Sequence, residues 1–115
     1  MANTFKVVTK AGVTSEDTIY TVASSTTTVI LGLVLGNTTS SQTTATVTLS
    51  SNTANRAGAN NENNQDVELI TNAPIPSGSS LELLSGNKVV LETTDIIKVT
   101  AGAATDVCLS IMEIT

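Results

Sequence analysis

Apolar residues along this chain recur in short runs with a two-residue alternation, and the runs are broken by turn-forming clusters. That pattern predicts strands rather than helices. FKVVTK at 5–10 is the first candidate, ended by Ala11-Gly12, and TIYTVA at 18–23 is the second, with Tyr20 and Val22 sharing a face. TTTVILGLVL at 26–35 is the most apolar. Its hydrophobic residues fall on both faces, so it is expected to be central and covered on both sides. Gly32 inside it marks a bulge or a close backbone contact. TTATVTL at 43–49 alternates, with Ala45, Val47 and Leu49 expected inward and Thr44, Thr46 and Thr48 outward. GNTTSSQ between these two runs predicts a long-looped hairpin.

The second half continues the rhythm. DVELIT at 66–71 predicts a strand with Val67 and Leu69 inward. The Pro74-Ile75-Pro76 step that follows resists regular ladder bonding and reads as a connector from one sheet to another. SLELL, KVVLE, IIKVT and VCLSIMEI then occupy 80–84, 88–92, 96–100 and 107–114. Their spacing of roughly ten residues predicts an antiparallel meander. Asp95 is placed to cap the turn between the second and third of these runs. Eight or nine strands in a single domain spanning 1–115 favour an all-β antiparallel sandwich, jelly-roll or immunoglobulin-like.

One long stretch, SSNTANRAGANNENNQ at 50–65, is almost free of apolar residues. Its asparagines disfavour a helix, because they compete for their own backbone. A loop of this length is either tolerated and mobile or used for contact. As a contact loop it would offer Asn55, Arg56, Asn60, Asn61, Asn63 and Asn64 to a sibling subunit or a partner.

Composition removes most chemistry. The chain has no His, no Trp and one Cys among 115 residues, and only Phe5 and Tyr20 are aromatic. A Ser–His–Asp or Cys–His arrangement and the usual Cys/His zinc sites are therefore excluded. Cys108, inside a predicted strand, is expected to be a buried, inert thiol. The acids Glu82, Glu92, Asp66 and Glu68 alternate with apolar neighbours and read as solvated strand residues rather than a catalytic pair. Glu62, Asn63, Asn64 and Asp66 come nearest to a calcium cluster, but their spacing fits no loop motif. No catalytic, cofactor or metal site is expected. A net charge of −5 with scattered lysines argues against nucleic acid. No apolar run is long enough for a membrane helix, and MANTFKVV lacks a signal-type apolar core. The expectation is a chain kept in the cytoplasm. Asn37-Thr38-Thr39 matches a glycosylation sequon but reads as a turn after a strand. A carbohydrate-binding sandwich remains an alternative with few aromatic platforms.

ANTFKVVTKAGVTS, TVILGLVLGNTTSS, NAPIPSGSSLEL and the ending NKVVLETTDIIKVT…LSIMEIT together resemble small virion structural proteins of tailed bacteriophages, closest to those of marine cyanobacterial phages. The most specific part is the ordered set PIPSGSSLEL, VLETTD and MEIT. The resemblance covers most of the chain except 50–65. It implies a β-sandwich subunit without enzymatic activity, carried on the virion after assembly in the bacterial cytoplasm. The implied partners are further copies of itself, a trimer among the expected forms, and the major capsid protein or another virion protein. The expected role is capsid decoration or cement, with a tail, neck, baseplate or fibre accessory as the alternative.

Overall fold

A computed structural model of the chain describes residues 2–52, 65–83 and 88–115. It holds nine strands: β1 Asn3–Val13, β2 Asp17–Thr21, β3 Thr27–Asn37, β4 Thr43–Ser51, β5 Gln65–Ile75, β6 Ser80–Leu83, β7 Val89–Leu91, β8 Ile96–Ala101 and β9 Thr105–Ile114. No helix occurs among the described residues. One sheet, here sheet A, runs β1-β9-β3-β6, with β7 also paired to β3; the other, sheet B, runs β2-β8-β4-β5. All pairings are antiparallel. The expected all-β sandwich is therefore the fold.

The pairing has a simple logic. β1 pairs β9, β2 pairs β8, β3 pairs β6 and β7, and β4 pairs β5. The chain is one long antiparallel ribbon whose two arms meet where β4 pairs β5. Two further pairings, β3 with β9 and β4 with β8, roll that ribbon into two facing sheets. This is the jelly-roll wrap, with two short strands sharing one edge position.

Two expectations about pairing fail for the same reason. β6 to β9 exist, but no two consecutive members pair, so there is no meander. β3 and β4 lie in different sheets, so GNTTSSQ spans a crossing and not a hairpin. Alternating apolar runs specify that a segment is a strand; they do not name its partner. β6 and β7 are two halves of one edge, level with Leu33–Gly36 and Thr28–Ile30 of β3.

The core is aliphatic. Ile30, Leu33 and Leu35 of β3 and Val107, Leu109 and Ile111 of β9 pack against Val47 of β4 and Ile97 and Val99 of β8, all essentially without solvent exposure. Each such side chain contributes about 1.5–3 kcal/mol on burial. β3 keeps its apolar face inward only by a bulge between Ile30 and Gly32, where the inward parity changes from even to odd residues. β3 is central as expected, with neighbours on both edges. It is not covered on both faces, because the fold has two layers and the outer side of sheet A meets no third; Val34 is accordingly exposed.

Other differences are local. β1 continues past Ala11-Gly12 to Val13 through an irregularity where Gly12 takes φ 67°. Thr48 faces outward, in register with Lys98 and Glu68, yet is buried; Leu49 is only partly covered, and Val67 beside it is exposed at the end of edge strand β5. Pro74 lies inside β5 opposite Thr44, which an edge strand tolerates; the crossing to sheet A comes one step later, at Pro76–Ser79.

Two buried polar side chains fix the crossings. Asn37, 3% exposed, donates its amide to the carbonyls of Ser41 (2.7 Å) and Ile75 (2.9 Å) and accepts from the Thr39 backbone N–H (2.9 Å) and hydroxyl (2.7 Å). It ties the β3–β4 crossing to the β5–β6 crossing, which is why the sequon is a turn. Asp95, fully buried, accepts from the N–H of Glu92 (3.1 Å) and of Asn52 (2.9 Å), capping the β7–β8 turn as expected and joining it to the end of β4. Asn37→Ala should cost about 2–3 kcal/mol, because carbonyls at two crossings lose their donor. Thr38→Ala, which removes one exposed hydroxyl bond to Ala104, should cost less than about 1 kcal/mol. Urea denaturation of the two variants checks the ordering.

Candidate functional site

The outer face of sheet A is where this molecule departs from an ordinary solvated surface. β1 alternates so that Val8 packs inward beside Leu109, while Phe5 and Val7 point away from the core. Phe5 is 71% exposed, Val7 62%, Val90 54% and Val34 39%, and all four lie on this face. The register aligns Phe5 with Met112, Met112 with Val29, and Val29 with Val90. An apolar row thus crosses four strands, spanning about 14 Å at the usual strand spacing. The next row, Val7–Ser110–Gly32, is low in the middle: a Cβ on Gly32 would meet no atom within 4 Å. Beyond it lies a shallow, mainly apolar depression of about 350 Å³, lined by Thr9, Ala11, Val34 and Cys108 and flanked by the charged Lys10 and Asp106. Contiguous exposed apolar surface of this kind marks interaction sites.

Cys108 sits in that depression and is exposed, contrary to the expectation of a buried thiol. The parity of β9 explains it: Val107 and Leu109 face the core, so Cys108 faces out. The outer face of sheet B is different in kind. Thr18, Lys98, Thr48 and Glu68 form one register row, and Thr46 pairs with Thr100. This is the hydroxyl-lined face that the Thr alternation of β4 predicted.

The sheet edges are closed to further strands. β1 turns Lys6 and Lys10 to the inner side of the edge, in register with Ile111 and Val107. β5 carries Pro74, a positive φ at Asn72 and two bulges; β2 is bulged, and β6 and β7 have four and three residues. Inward charges, prolines, bulges and short edges all oppose strand addition. Among the described strands, the outer faces are what remains for contact.

One polar network lies at the mouth between the sheets. Lys6 of β1 pairs with Glu113 of β9 at 2.7 Å. Glu113 also accepts from the Tyr20 hydroxyl of β2 at 2.5 Å, and Tyr20 is 2.8 Å from the Thr28 hydroxyl of β3. Because the phenol has one proton and gives it to Glu113, Thr28 is the donor to Tyr20. Burial first, then the bond to the Glu113 carboxylate, pushes the Tyr20 pKa from 10.0 up to about 12. The Lys6 ammonium, then the Tyr20 hydroxyl, holds the Glu113 carboxyl below its usual range. A phenol held protonated and a carboxylate held ionised form a clamp between the sheets. The alternation of FKVVTK, which puts Lys6 and Val8 on one side, is the signal that could have exposed Lys6; the partnership with Tyr20 depends on the wrap.

The sequence-based site residues are placed as follows. Asn55, Arg56, Asn60, Asn61, Asn63 and Asn64 lie outside the described residues, as does Glu62. Glu82 is level with Val34, whereas Glu92 follows Leu91, which is level with Thr28 at the other end of β3, so the two acids form no pair. Asp66 and Glu68 are exposed on β5, and Asp66 accepts from the Ser50 hydroxyl at 2.6 Å. No group of three or more His, Cys, Asp or Glu side chains able to hold a metal occurs among the described residues.

No family model matches the chain. No curated protein matches it. Among solved structures it is similar to a chain from Bacillus endospore appendages, described as a family of disulfide-linked pili, at 15% identity and a TM-score of 0.44, over 96% of this chain and 85% of that one. A likeness of that degree carries no inference about function.

The clamp predicts the pH dependence of stability. Glu113 has a lowered folded pKa, so its contribution is present above about pH 4.5 and is lost as pH falls through the folded value. Tyr20 has a raised folded pKa, so its contribution is present below pH 10 and is lost as pH rises towards about 12. Thermal melts across pH should show the acid limb flattened in Glu113→Gln and the alkaline limb flattened in Tyr20→Phe.

Proposed function

We propose that this chain is a non-enzymatic structural subunit of a tailed-phage particle, made in the host cytoplasm and carried on the virion, with decoration of the head shell as its role. The observation that carries the structural part is the outer face of sheet A, which exposes Phe5, Val7, Val34 and Val90 while the sheet edges are closed. Such a module works by packing faces against other proteins. Its mechanism is shared burial: each copy adds contacts to its siblings and to the shell, and many modest interfaces sum to a more resistant particle. The Thr-lined face of sheet B suits wet, repeated contacts with a shell surface. An acidic chain without clustered Lys or Arg suits a part that avoids the packaged nucleic acid.

The phage assignment is supported by the resemblance in PIPSGSSLEL, VLETTD and MEIT. These segments occupy joints of the fold: the crossing into sheet A, the β7–β8 turn, and the end of β9 that carries Glu113. Immunogold imaging and quantitative mass spectrometry of particles from the encoding phage test the proposal. The expected result is label over the whole head, in numbers comparable to the shell subunits. Label confined to the tail, neck or baseplate would move the protein to an accessory role there, and absence from purified particles would overturn the virion assignment.

A further inference from the structure

We infer that the occupant of the outer face of sheet A is the same face of a second copy, related by a two-fold axis that crosses the strands near the Val7–Ser110–Gly32 row. This deepens the self-association part of the proposed function and is independent of the virion assignment.

Three observations lead to it. The first is area. The sheet is four strand positions wide and about ten residues long, so the face covers on the order of 650 Å² in projection. A standard stable interface takes about 800 Å² from each partner. A face of this size falls at the low end of that class, which runs from about 600 to 1,000 Å² per partner.

The second is shape. The face carries a projection and a depression on opposite sides of a low central row. Phe5 stands two residues before Val7 on β1, and Thr9, level with Cys108 and Val34, lies two residues after it. A two-fold axis along the Val7 row exchanges these positions, so Phe5 of each copy meets the depression of the other. The depression, at about 350 Å³, is ample for the ring. Gly32 lies on the axis, and its missing side chain permits the two backbones to approach. An isologous contact of this kind closes after two copies and leaves no repeating face.

The third is charge. Each chain carries −5, and two acids of this face, Glu82 and Asp106, stand on one side of the Val7 row. The two-fold axis puts Asp106 opposite the Ile114 end of the other copy, away from its own counterpart.

Sedimentation equilibrium of the full-length chain, read together with the reactivity of the native Cys108 thiol, tests this. The expected result is a reversible dimer in which Cys108 becomes protected from a thiol reagent as concentration rises. Phe5→Glu should weaken dimerisation at least about a hundredfold, because it withdraws the ring from the depression and desolvates a carboxylate beside Asp106. Gly32→Leu should do the same by filling the axis, and neither should lower the melting temperature of the monomer, since both positions are open. Thr18→Glu, on the outer face of sheet B, should leave the dimer intact. A wild-type monomer at all concentrations overturns the inference wherever the protein lies on a particle. So does a trimer, a dimer disrupted by Thr18→Glu, or a dimer with Cys108 still fully reactive. None of these outcomes removes the protein from the virion, and absence from particles does not touch the dimer.

Discussion

Everything in this molecule depends on the packing of β3 and β9 against β4 and β8. These four strands carry most of the fully buried side chains and supply the two pairings that roll the ribbon into a sandwich. With only two aromatic residues in the chain, cohesion comes from branched aliphatic contacts, which must fit closely to be worth their area. The bulge between Ile30 and Gly32 follows from that need. It resets which residues of β3 face the core, keeping Ile30, Leu33 and Leu35 inside.

The same constraint shapes the surface. A two-layer sandwich has two outer faces and four edges, and this chain treats them differently. The edges are closed by Lys6 and Lys10, by Pro74 and the positive φ at Asn72, and by the shortness of β6 and β7. One outer face is lined by Thr and charged residues and the other by Phe5, Met112, Val29 and Val90. Closed edges with an apolar face direct contact towards packing rather than strand addition. In the proposed role, such a module would hold a neighbour by packing and not by sharing backbone hydrogen bonds.

Much of this was legible in the residues, and the gaps have a common cause. Alternation in TTATVTL and VCLSIMEI located β4 and β9, and Asp95 was recognisable as a turn cap. Strand partners were not legible, because a run such as KVVLE reads the same beside a hairpin neighbour or beside β3. Nor was the face of β1: FKVVTK has apolar residues at both parities, and only its register with β9 turns Phe5 and Val7 outward and Lys6 inward. Cys108 departs from expectation for a related reason, since a thiol amid apolar residues is expected inside until the parity of Val107 and Leu109 is known. The Tyr20–Glu113–Lys6 clamp joins residues far apart in the chain, a proximity that only the wrap creates.

The central claim is that this protein acts through the outer face of sheet A. Hydroxyl-radical footprinting of the assembled chain against its monomer tests it most directly, because Phe5, Met112 and Cys108 are all readily oxidised and all lie on that face. The account predicts that these three residues lose labelling on assembly while the exposed residues of β2 and β5 do not. Unchanged labelling at Phe5, Met112 and Cys108, with protection along β2 or β5, would contradict it.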